Sequence, residues 1–124
     1  MSLPLFLLLA ALNEIIFGIG FLLVPQMTVG PMGVVLNPAG IMLCRILGAA
    51  LIFMALIFWW IRSAPKGEAK TAVLRAALIY YVISAVPIIM GITSGLANAT
   101  AWGTVVIHAL LAFGFWHFGF KKLN

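Results

Sequence analysis

Three ionisable side chains, Glu14, Arg45 and His108, stand inside long apolar stretches of this chain. Such a group in hydrocarbon costs about 2.5–3.5 kcal/mol on insertion scales, so each needs a partner or a task. At 1.5 Å per helical residue, Glu14 lies about 16 Å from Pro25, Arg45 about 10–12 Å from the start of its stretch, and His108 about 15 Å from Asn98. This spacing predicts one shared depth for all three. Asn13, Tyr80, Tyr81 and Ser84 fall somewhat nearer the half of the membrane expected to be cytoplasmic. Two chemistries are open. In one, Glu14 and Arg45 neutralise each other, and His108 or a tyrosine fills the remaining hydrogen-bond capacity. In the other, the groups line a small polar pocket. Glu14 is then a proton or cation site, and Arg45 anchors a carbonyl, a carboxylate or a headgroup.

Geometry constrains the pair. Helical side chains tilt toward their own N-terminus, so on antiparallel helices Glu14 and Arg45 tilt apart. A direct contact needs Arg45 to bend inward, or a water or His108 between them. Pairing predicts that Arg45→Leu alone is worse than Arg45→Leu with Glu14→Leu, because the double change removes the orphaned charge.

His108 and His117 are nine residues apart. At about 100° per residue they are half a turn out of phase and cannot hold one metal together. Either could be an axial ligand to haem or a chlorophyll-type pigment. A bis-histidine haem would need a further His on a facing helix, and the sequence has none. Cys44 is the only cysteine, which excludes an intrachain disulfide and a cysteine-based metal set. There is no Ser-His-Asp set, metal cluster or phosphate loop, so no metal and no enzymatic activity is expected, and the cofactor is left open.

The elements that must position these groups follow from composition. Of 124 residues, 65% are apolar and 7% charged, with mean hydropathy +1.25. A soluble domain runs at about 45–50% apolar and about 25% charged. So short a soluble chain leaves much of its surface exposed and cannot hide this much apolar area. A soluble enzyme, a nucleic-acid-binding module and a disordered tail are all but excluded. The expected class is an all-α polytopic membrane protein, a four-transmembrane-helix antiparallel bundle in one domain over residues 1–124.

A span needs roughly 20 mostly apolar residues. The sequence predicts four helices, at about 3–24, 38–61, 71–91 and 99–120. Asn37-Pro38 reads as an N-cap followed by Pro at the first helical position. Asn98 reads as a second cap, although Asn98-Ala99-Thr100 also matches a glycosylation acceptor. The apolar start, Met1 to Ala11, lacks a basic leader and is interrupted by Asn13 and Glu14, so it is read as a retained first span rather than a cleaved signal. Pro25 to Leu36 carries no charge, and the expectation is a connection lying at the interface or folding partly back. Pro87 inside the third span frees a backbone carbonyl one turn earlier. Gly18 with Gly20, and Gly48 with Ala49, are placed for close helix approach, while Gly91-x-x-x-Gly95 falls at a helix end and reads as a turn.

The net charge is +5. Arg62, Lys66, Lys70 and Arg75 lie between the second and third spans, and Lys121 and Lys122 follow the fourth. The first and third connections have no Lys or Arg. The positive-inside rule then predicts cytoplasmic termini and a cytoplasmic middle connection, with basic side chains attracted to anionic lipid headgroups. Trp59, Trp60 and Trp116 would form the inner aromatic belt, and Trp102 would mark the outer interface.

A resemblance can be placed on particular stretches. Asn13-Glu14 with Phe17-Gly18, Val24-Pro25, Arg45 with Leu47-Gly48-Ala49, Trp60 to Arg62, and Ser94-Gly95-Leu96-Ala97-Asn98 leading to Trp102 resemble small four-helix bacterial inner-membrane proteins, loosely DoxX-like. That resemblance covers most of the chain and implies a bacterial cytoplasmic membrane, but no activity. Glu14 in the first span also resembles the membrane-embedded Glu of small multidrug resistance transporters. Their near-balanced loops and lack of a partner arginine set them apart from this basic chain with its Arg45.

Three functions follow. The leading one is a non-catalytic accessory or structural subunit packing against a larger inner-membrane complex of respiratory or photosynthetic type, or against copies of itself. The alternatives are a small proton- or cation-coupled transporter using Glu14, and a quinone, haem, pigment or lipid binder using Arg45, His108 and Tyr80 or Tyr81, with Asn13 a further member of the buried polar cluster. No nucleic-acid partner is expected.

Overall fold

The computed structural model describes residues 1–121 and is all-α. Lys122, counted among the flanking basic residues, lies outside the described residues. The elements are α1 (Leu3–Leu23), α2 (Pro25–Val29), a 3-10 turn (Gly30–Met32), α3 (Pro38–Ile61), α4 (Glu68–Thr93), a 3-10 turn (Ala99–Ala101) and α5 (Trp102–Phe120). Four helical segments are long and apolar enough to cross a membrane: Leu3–Leu23, Pro38–Ile61, Glu68–Thr93 and Ala99–Phe120. The expected spans hold to within three residues. The largest change is at α4, which starts at Glu68 because Gly67 caps it and Glu68 places a negative charge in the first turn, at the positive end of the helix dipole.

The sequence reading treats the chain as one domain. Its contacts resolve two compact units, Met1–Ser63 and the residues from Ala64 onward. Each is an antiparallel helical hairpin.

In the first hairpin, α1 packs on α3 along a seam of small residues. The α1 face buries Phe6, Leu7, Ala10, Ala11, Glu14 and Gly18. The α3 face buries Gly48, Leu51, Ala55 and Phe58. Gly18 lies against Gly48 and Ile52, and Gly48 lies against Gly18 and Leu22. Without a hydrophobic drive between helices in lipid, close approach of backbones supplies the attraction through dispersion. Asn37 caps α3 as expected, its Oδ1 accepting from the Gly40 amide at 2.7 Å.

The connection between α1 and α3 has structure of its own. Pro25 starts α2, which folds back toward α1, and a Cβ at Gly20 would meet Thr28 Oγ1 at 2.8 Å. Gln26 ties the segment: its Nε2 donates to the Val34 carbonyl at 2.9 Å, and its Oε1 accepts from the Leu36 amide at 2.8 Å. Met27 and Val35 remain strongly exposed. An uncharged, apolar-tipped, internally tied connection suits the interface that the sequence suggests for it.

In the second hairpin, α4 runs unbroken past Pro87. Gly91 and Gly95 form no helix contact: a Cβ at either would meet nothing within 4 Å. Gly95 instead ends α4 with φ +80°, and the Gly91 carbonyl accepts from the Ala97 amide at 3.0 Å. Only a residue without a Cβ takes that left-handed turn cheaply. Asn98 then caps the next turn, accepting from the Thr100 amide at 2.9 Å.

Candidate functional site

Glu14 is 3% exposed, and with Lys70 it is one of two buried polar side chains among the described residues. Helix α1 places it one turn before Gly18, on the face that meets α3. Its neighbour Asn13 donates from Nδ2 to Glu14 Oε1 at 2.9 Å. This bond holds the carboxyl group close to its own helix.

Arg45 does not join Glu14. The Gly18–Gly48 crossing fixes the register of the hairpin, and it sets Glu14 at the level of Met54 and Ala55, nine residues along α3 from Arg45. At 1.5 Å per residue the two lie about 13 Å apart in depth, and their tilts widen the gap. Arg45 is exposed on α3 and makes no hydrogen bond or ion pair among the described residues. The expectation of one shared depth for these two groups is corrected. Counting from helix ends misplaces them because α1 ends beside the middle of α3's first half, while α2 and its turn flank the start of α3.

In the second hairpin the aromatic centre is Tyr81, not Tyr80. Tyr81 is 1% exposed, whereas Tyr80 is half-buried. The Tyr81 ring meets His108 edge-on at 5.5 Å between centroids and stacks on Phe115 at 5.5 Å with a 15° interplanar angle. Tyr80 touches Tyr81 edge-on at 5.1 Å. His108 and Phe115 are one heptad apart on α5, so both fall on the face that receives Tyr81. His108 Nδ1 lies 2.8 Å from the Thr104 carbonyl. A carbonyl can only accept, so in this contact Nδ1 is the donor. His117 is exposed on the other side of α5, as the half-turn phase difference requires.

Sequence reasoning passed over two further features. Gln26, which organises the first connection, carries no motif. The second is the polar end of the second hairpin. Arg75 Nε donates to the Gly119 carbonyl at 3.2 Å, and its guanidinium lies 4.7 Å from the Phe120 ring centre. Lys70 is buried and donates from Nζ to the Ala64 carbonyl at 2.9 Å, closing the turn that leads into α4. At the end of α3, the Arg62 guanidinium stacks on Trp59 at 3.7 Å, a cation–π contact suited to an interfacial Trp.

Comparison with protein-family models, with curated proteins and with solved structures finds no match.

Proposed function

We propose that this chain is a non-catalytic subunit of a bacterial cytoplasmic membrane, with both termini cytoplasmic, that packs through α3 against another integral membrane protein. Arg45 carries this reading. It lies about 10 Å inside α3, where an unpaired guanidinium is costly. Met42, Leu43 and Ile46 beside it are likewise exposed. An acidic or carbonyl-rich face on a partner helix would satisfy it. A second copy of this chain is a poor source, since its two acids are Glu14 and Glu68. The first is buried and the second stands at the start of α4. A different subunit is therefore favoured over a homo-oligomer.

Gentle extraction from native membranes, followed by identification of the chains that migrate with the protein, tests this. The expected result is a stoichiometric larger complex that Arg45→Leu releases. Migration of the wild-type chain alone refutes the reading.

The burial of Glu14 on a helix–helix seam favours a second reading, a proton- or cation-coupled carrier. Proton-coupled flux in liposomes that disappears in Glu14→Gln supports it, and unchanged flux eliminates Glu14 as the coupling site.

A further inference from the structure

The second hairpin holds a recess of about 670 Å³ where the chain enters α4, lined by Lys66, Gly67, Glu68, Thr71, Ala72 and Arg75. Two cations and one carboxylate share this wall. Arg75 stands two turns into α4, at the level of the last residues of α5, and its Nε is held by the Gly119 carbonyl. The Phe120 ring covers part of the guanidinium. Its two terminal nitrogens have no hydrogen bond among the described residues. Among the described residues the fork is thus fixed at one nitrogen and has no partner at the other two, the arrangement that receives an oxyanion bidentately. Gly67 brings no capping side chain to the first turn of α4.

We infer that this recess binds a phosphate-bearing anion through Lys66 and Arg75, in the bilayer the phosphodiester headgroup of a lipid. Three observations converge on that ligand. The recess lies at the end of a membrane span, where headgroups sit. Its lining carries two cations, Lys66 and Arg75, against Glu68, and the Lys70 ammonium stands close to Lys66, so the wall is net positive and favours an anion. An exposed Phe120 beside Arg75 offers an apolar surface on which acyl chains can lie. This goes beyond the subunit reading and does not involve α3.

Native mass spectrometry of the full chain in mild detergent, titrated with phosphatidylglycerol, tests the inference. Wild type should retain one lipid per chain. Lys66→Gln with Arg75→Gln should cut the retained fraction about tenfold, in line with loss of charge-assisted bonds. Lys66→Glu leaves the Arg75–Gly119 contact intact and should show a comparable loss even if the double variant is unstable. Lys121→Gln removes a basic residue that does not line the recess and should retain lipid as wild type does. Competition with inorganic phosphate separates the two sources of the same chemistry. Lipid that resists displacement identifies the headgroup, and lipid that is displaced identifies soluble phosphate at this site. Retention lost equally in Lys121→Gln, or no binding of either lipid or phosphate by wild type, would overturn the inference.

Discussion

A Cβ on Gly48 would stand 2.6 Å from the carbonyl oxygen of Gly18 and equally close to the Leu22 amide nitrogen. Both neighbours are backbone and cannot rotate aside. Gly48→Ala must therefore push α1 and α3 apart, at about 1–3 kcal/mol as for other overpacked sites. Gly103→Ala, where a Cβ meets nothing within 4 Å, should be neutral or slightly stabilising. Unfolding of both variants in a mixed-detergent titration gives the comparison. Equal midpoints would contradict the close crossing.

Tyr81 is gripped by two rings of α5, and truncating it should be the most damaging aromatic change in the second hairpin. Tyr81→Ala should cost about 3–5 kcal/mol, as for other buried aromatics. Tyr81→Phe keeps the ring stack and should cost much less. A double-mutant cycle between Tyr81→Ala and Phe115→Ala should return a coupling of about 0.5–1.5 kcal/mol. Full additivity of the two changes would argue against the stack.

Arg45 and Glu14 should behave independently. The sequence suggests a pair whose single mutants are worse than the double. The register separates the groups by about 13 Å, so Arg45→Leu and Glu14→Leu should add to within about 0.3–0.5 kcal/mol in stability. Rescue of one by the other, measured by the same detergent titration, would restore the ion pair.

Gln26 bonds to both Val34 and Leu36. Gln26→Ala removes two exposed bonds, each worth about 1 kcal/mol or less. The expected outcome is local: faster hydrogen exchange at the Leu36 amide and earlier cleavage between residues 30 and 37, with the hairpin's unfolding midpoint nearly unchanged. Unaltered exchange at Leu36 would count against the tie.

Much of this architecture was legible in the residues, and for identifiable reasons. The caps at Asn37 and Asn98 use local hydrogen bonds that spacing alone foretells. The glycines at 18 and 48 announced a close crossing, and those at 91 and 95 a stop, because one pair sits mid-span and the other at a helix end. What stayed hidden depends on register between helices. The depth of Arg45 relative to Glu14 is set by how far α1 slides along α3, and no single-helix pattern encodes that. Tyr80 and Tyr81 differ by one position, and only the phase of α4 against α5 decides which meets His108. The recess at Lys66 and Arg75 was hidden by its composition, since basic residues beside a span already have a topogenic explanation.

The division at Ser63 bears on how the molecule is made. Each pair of crossing helices seals its own seam, so the first can leave the translocon as a closed unit before the second is synthesised. A break engineered into the Ser63–Gly67 connection should then leave two fragments that insert independently when co-expressed, and neither should depend on covalent continuity to find its orientation.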